Sequence, residues 1–141
     1  MLCPAALRIL VANSLDIRYI GFRLMKEKVA EFIPLSPATL HILLSLAGED
    51  RHGYGIMLEV ARQSEGQYKL GPGTLYDNLQ KLLDRQLVQP VGRRAGDDDP
   101  RRRYYRLSPL GHAVLSAEVG RLEDVVREAK VRLQPAKPRR A

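Results

Sequence analysis

The chain has 141 residues, 45% of them apolar, which suits one domain with a modest core rather than a disordered polymer. Lysine and arginine outnumber aspartate and glutamate by 23 to 16, giving a formal charge of +7 and a pI near 9.9, so a polyanionic partner is favoured. Cys3 is the single cysteine, which excludes an intramolecular disulfide or a cysteine-based zinc site, and His41, His52 and His112 stand at no metal-ligand spacing.

The N-terminal stretch Leu2 to Leu15 is apolar, but Arg8 and Asn13 interrupt it and no small-residue cleavage site follows. No segment approaches the roughly 20 apolar residues of a membrane span, so the sequence predicts a cytoplasmic protein without a membrane partner. Residues 1–33 read as an extension, helical in part, with Ile17, Ile20 and Leu24 at scattered helical spacing beside Lys26-Glu27-Lys28. Met25 would serve equally well as a start, which sets residues 1–24 apart as a poorly ordered extension or a start-codon artefact.

Sharper punctuation begins at Ser36-Pro37, an N-cap followed by a first-turn proline. Leu40, Leu43, Leu44 and Ala47 then recur at helical spacing until Gly48. Gly53 to Gly55 marks a turn, and Ile56, Met57, Val60 and Ala61 give the stripe of a second helix ending near Ser64. Gly71-Pro72-Gly73 introduces a third, with Leu75, Leu79, Leu82 and Leu83 as its apolar positions.

Past Leu87 the period changes. Val88 to Val91 and Arg103 to Leu107 are β-prone and are separated by a long charged tip, Arg93 to Pro100, which predicts a hairpin. Pro90 cannot donate to a ladder, so its strand should be short and lie at an edge. Ser108-Pro109 repeats the cap signal, and Leu115, Leu122, Val126, Ala129 and Leu133 line a long helix ending before Pro135. The order helix, helix, helix, hairpin, long helix makes the fold class mainly α with a small β-hairpin. It is a winged helix-turn-helix over residues 34–107, a C-terminal dimerisation helix over 108–134 and a basic tail over 135–141.

If the third helix buries Leu75, Leu79 and Leu82, a step of about 100° per residue aims Gly73, Thr74, Asp77, Gln80, Lys81 and Asp84 outward, with Tyr76 and Asn78 on the flanks. Gln80 could pair with adenine and Asp77 could accept from a cytosine amino group, although an ordinary solvated face would carry the same residues. Arg93, Arg94, Arg101, Arg102, Arg103 and Arg106 crowd into the hairpin, more cation than solubility requires, and suit a wing laid over phosphates. The Asp97 to Asp99 run would be repelled by DNA and is expected to point away or to pair with neighbouring arginines. The C-terminal stripe is more apolar surface than a terminal helix hides against one small domain, so a homodimer is expected, with packing against the first helix as the alternative.

Three stretches resemble the PadR family of transcription regulators: His52-Gly53-Tyr54-Gly55, Gly73-Thr74-Leu75-Tyr76, and Arg103-Tyr104-Tyr105-Arg106-Leu107-Ser108 through Gly111. The resemblance spans residues 36–115 and is similar to the shorter branch of that family, with a single C-terminal helix. It implies a homodimeric repressor that binds double-stranded DNA with its third helix in the major groove, and a two-fold dimer would set two such helices about one DNA turn apart on an inverted-repeat operator. Gly73, Thr74 and Tyr76 would then contact DNA and Tyr54 a phosphate, although Tyr54 could equally be a phenol packed at a helix start, and Gly71, Gly73 and Gly111 could serve only backbone shape or close approach. Asp77 stands where relatives often carry proline. The resemblance also implies a small aromatic or cationic inducer in a cavity near the dimer interface, with no inducer identified by the residues. A winged helix used as a protein-interaction module is the rival reading. No phosphate loop, metal cluster, cofactor motif or nucleophile with an identifiable base supports an enzyme.

Overall fold

Side-chain caps at Ser36, His52 and Ser108 start three of the helices, and the structure, a computed structural model, describes residues 20–92, 96 and 99–136. The N-terminal apolar run before Ile20, Arg93, Arg94, Asp97, Asp98 and the end of the basic tail lie outside the described residues. Two units divide the chain, residues 1–33 and 34–141. In the first, residues 20–30 form a helix, α1, that runs through Met25 without a break. Arg23 pairs with Glu27 at 3.4 Å, and the Lys26 ammonium stands 4.9 Å from the centre of the Phe22 ring.

In the second unit, the Ser36 hydroxyl accepts from the Thr39 amide at 3.2 Å and Pro37 occupies the first turn of α2, Pro37–Leu46. The buried side of α2 carries Ile42, Leu43 and Leu46. Leu44, expected on the apolar stripe, is exposed because it lies about 100° beyond Leu43 and outside that narrow arc. Arg51 and His52 then form a short strand, β1. The Arg51 guanidinium donates to the Ser45 carbonyl at 2.8 Å and lies 3.2 Å from Glu49 and 3.6 Å from Glu59, tying β1 to the end of α2 and to the following helix.

That helix, α3, spans Gly53–Gln63, so the predicted turn at Gly53 to Gly55 is instead its first turn. His52 explains the difference: its Nδ1 accepts from the Gly55 amide at 3.1 Å, a side-chain cap that lets the helix begin directly at the glycines. Glu65 and Gly66 take left-handed backbone angles, φ 51° and 75°, and close α3 before α4, Pro72–Asp84. α4 buries Leu75, Leu79 and Leu82.

The sheet has three antiparallel strands in the order β1-β3-β2, with β2 at Val88–Val91 and β3 at Tyr104–Leu107. Pro90 lies opposite Tyr105 on the edge strand β2, and β1 pairs Arg51 with Tyr105 and His52 with Tyr104. β3 begins at Tyr104 rather than Arg103, and its two adjacent tyrosines are both buried. Tyr104 meets the His52 ring edge-on at 5.4 Å, while Tyr105 lines a cleft on the wing side.

The last helix, α5, spans Pro109–Arg132. Ser108 joins it to β2 by accepting from the Gly111 amide at 2.9 Å, donating its hydroxyl to the Gln86 carbonyl at 2.6 Å and its amide to the Leu87 carbonyl at 3.0 Å. Gly111 permits this approach, since a Cβ there would stand 2.1 Å from the Leu87 carbonyl oxygen. The first half of α5 packs on α2 and β3 and buries Val114 and Leu115. Glu118 follows with 1% exposure; its carboxylate accepts from Arg121 at 2.6 and 2.8 Å and from the Leu35 backbone amide. The Arg121 hydrogen bonds outweigh burial and hold this carboxyl below the usual carboxylate range. No helix among the described residues is long and apolar enough to cross a membrane.

Candidate nucleic-acid interface

With Leu75, Leu79 and Leu82 turned into the core, the opposite side of α4 presents Gly73, Thr74, Asp77, Gln80, Lys81 and Asp84, all exposed. Nothing lies within 4 Å of where a Cβ of Gly73 would stand, so the backbone at the start of α4 is open to an incoming group. Gln80 is oriented: its amide nitrogen donates to Asp84 Oδ1 at 2.9 Å. Because an ionised carboxylate only accepts, this contact turns the Gln80 amide so that a donor faces Asp84. One amide hydrogen and the carbonyl oxygen of Gln80 remain, the donor and acceptor that pairing with adenine would use.

A cleft of about 340 Å³ lies beside this face. The start of α3 contributes His52, Gly53 and Tyr54, α4 contributes Tyr76, and the wing contributes Asp99, Arg101, Arg102, Arg103 and Tyr105. Five of the expected DNA-binding residues, Tyr54, Tyr76, Arg101, Arg102 and Arg103, thus converge on one cleft, although they come from three separate stretches of sequence. Tyr54 and Tyr76 are 61% and 54% exposed, so neither is a phenol buried in the core. Asp99 is exposed and lines the same cleft, and its Oδ1 accepts from the Arg101 amide at 2.9 Å. Burial, with Tyr76 nearby, raises the Tyr105 phenol above its ordinary value, and Arg103 partly opposes the rise.

Arg106 leaves the expected cationic set. Its guanidinium donates to both carboxylate oxygens of Asp50, at 2.9 and 2.7 Å, and so links β3 to the turn before β1. Gly53, His52 and Tyr105 were not among the residues expected at the interface. The His52-Gly53-Tyr54-Gly55 and Arg103-Tyr104-Tyr105 runs contain them, but their convergence depends on β1 pairing with β3, which no local pattern reveals.

The expected dimerisation set also divides. Leu115 is 7% exposed within the chain itself and belongs to the domain core, because the first half of α5 packs on α2. Beyond Leu122 the helix is exposed. Val119, Leu122, Glu123, Val126, Arg127 and Lys130 bound an open groove of about 410 Å³, and Ala129 and Leu133 continue the exposed side. Among the described residues, no group of histidine, cysteine, aspartate and glutamate is arranged to hold a metal ion.

Three helices, a three-stranded sheet with a basic wing and an exposed polar face on the third helix of the domain define the class: a winged helix-turn-helix of the DNA-binding kind. Residues 42–117 match the transcriptional regulator PadR-like family, and the chain belongs to that family, whose members are transcription regulators and not enzymes. The chain is 36% identical over 89 residues to Transcriptional regulator Rv3488 of Mycobacterium tuberculosis, an alignment covering 63% of this chain and 78% of that protein. An uncharacterized protein X of Lysinibacillus sphaericus is 32% identical over 95 residues, covering 62% of this chain and 84% of the other. In fold, the chain is similar to a PadR family transcription regulator from Clostridium difficile R20291, with TM-score 0.60 and 20% identity over 70% of this chain and 99% of that one.

Proposed function

We propose that this protein is a sequence-specific transcriptional repressor that binds an inverted-repeat operator as a homodimer. The observation that carries the reading is the convergence of Tyr54, Tyr76 and Arg101 to Arg103 on one cleft beside the exposed polar face of α4. α4 enters the major groove with Gly73 and Thr74 leading, Asp77, Gln80 and Lys81 reach base edges or phosphates, and the wing arginines follow the backbone. Arg93 and Arg94 extend the same wing in sequence. Two chains pair through the exposed part of α5, Leu122 to Leu133, which spaces two α4 helices about one DNA turn, roughly 34 Å, apart. The protein acts in the cytoplasm, where its DNA lies. The apolar walls of the α5 groove suit a small aromatic inducer once a second chain roofs it.

Selection of bound duplexes from a random pool tests the proposal, with sedimentation of the protein at micromolar concentration beside it. A palindromic motif and a dimer are the expected results. Indifference to duplex DNA at low salt would favour a protein-interaction module, and a monomer would remove the basis for a two-fold site.

A further inference from the structure

Gly53 stands in the first turn of α3 with ordinary helical backbone angles; among the described residues the positive-φ glycines are Gly66 and Gly96. Conformational freedom therefore does not explain a glycine there, and glycine in a helix is a poor choice unless space demands it. Tyr76 fills the space beside it. A Cβ on Gly53 would stand 2.7 Å from the Tyr76 hydroxyl oxygen, 3.1 Å from Cζ and 3.3 Å from Cε1. At Gly55, on the same turn, the nearest atom would be 3.5 Å away, an ordinary contact.

Tyr76 is half exposed, and the end of its ring lies against the bare backbone of Gly53. The ring end rests on the start of α3 while its own Cα belongs to the first turns of α4, and it shares the cleft with Tyr105 of β3. We infer that Gly53 is a positioning residue for DNA binding, whose missing side chain makes the seat that fixes Tyr76 between the start of α3 and the wing. This rests on the DNA-binding reading above. A side chain at position 53 meets the far end of a tyrosine, which is free to swing away, so the effect falls on the orientation of Tyr76 and the entry of α4 rather than on the core.

The test is a double-mutant cycle of Gly53→Ala and Tyr76→Phe in the full chain, with Gly55→Ala as control. Affinity is read on a duplex selected by the wild-type protein, and the tyrosine ring resonances are read by NMR in the free protein. Gly53→Ala should weaken binding about tenfold, the scale of one good base contact, and shift the Tyr76 ring signals. In the Tyr76→Phe background, where the clashing oxygen is gone, the same alanine should cost no more than about twofold, and Gly55→Ala should bind like wild type. Equal costs in both backgrounds, or none in the first, overturn the inference while leaving DNA binding intact. Failure of the wild-type protein to bind any duplex overturns the DNA reading and the inference with it. Should Gly53→Ala not fold, the double variant should, and a double variant that is unfolded or binds much more weakly than Tyr76→Phe overturns the seat.

Discussion

Arg106 and Asp50 form a two-pronged ion pair, 2.9 and 2.7 Å long, between residues 56 positions apart. A guanidinium that composition assigns to the DNA surface is instead held by the protein's own carboxylate, and the pair ties the wing strand to the turn before β1. The wing arginines therefore do not act as one set. Arg106→Ala should leave the slope of log affinity against log salt unchanged, whereas Arg101→Ala or Arg103→Ala should flatten it by about one unit. Titrations of duplex binding at several salt concentrations check this, and a flattened slope for Arg106→Ala would mean that the pair opens on DNA.

Gln80 makes a separable prediction. Its amide is held by Asp84 at 2.9 Å, an exposed contact between residues one turn apart and worth no more than about 0.5 kcal/mol. Gln80→Ala should relax preference at a single position of each half-site. Asp84→Ala, which frees the amide to turn, should change which base is preferred there. Sequencing of selected pools for each variant reads both effects, and identical motifs from all three proteins would remove Gln80 from base reading.

Two glycines of α5 should respond oppositely to alanine. Gly111→Ala places a Cβ 2.1 Å from the Leu87 carbonyl oxygen, which is backbone and cannot swing aside. Overpacking of this kind destabilises by about 1–3 kcal/mol. Nothing lies within 4 Å of a Cβ at Gly120, and alanine there should stabilise by up to about 1 kcal/mol through helix propensity. Urea unfolding distinguishes them, and a stable Gly111→Ala would show that α5 shifts from β2 at little cost.

Leu115 and Val126 lie on one helix but should fail differently. Leu115→Ala removes a buried side chain and should cost about 2–5 kcal/mol in unfolding. Val126→Asp alters an exposed position in the α5 groove, so it should leave the fold intact and shift the protein toward monomer in sedimentation. An unaffected dimer in Val126→Asp would move the interface elsewhere.

Glu118 gives stability a defined acid dependence. Its folded-state pKa is depressed, chiefly by the hydrogen bonds from Arg121, so the unfolded chain takes up its proton first as pH falls. The contribution is present above the unfolded value, about 4.3, and disappears as pH falls through the lower folded value. Glu118→Gln should therefore unfold at lower urea concentration than wild type at neutral pH, with the difference narrowing below about pH 4. A constant difference across that range would show that the loss is one of packing and not of charge.

Local chemistry alone determined where α2 and α5 begin and how α4 is phased. Ser36-Pro37 and Ser108-Pro109 cap and start their own helices, and the spacing of Leu75, Leu79 and Leu82 decides which side of α4 is left for a partner. The three motifs, each within a few residues, carried the family. Such signals are readable because every interacting atom lies within about one helical turn of its partner.

Tertiary structure decided the rest. The two-residue strand β1 exists only because β3 pairs with it, and that pairing brings the start of α3 beside the wing. Periodicity placed Leu115 and Val126 on one stripe without saying which of them the domain itself would cover, since what covers a stripe is set by packing with α2 and β3. The same limit applies to Arg106, whose charge is visible in sequence and whose partner is not, and to Gly53, whose emptiness has a purpose only once Tyr76 arrives from another helix. A residue type specifies what a side chain can do; which neighbour it does it with depends on contacts between segments far apart in the chain.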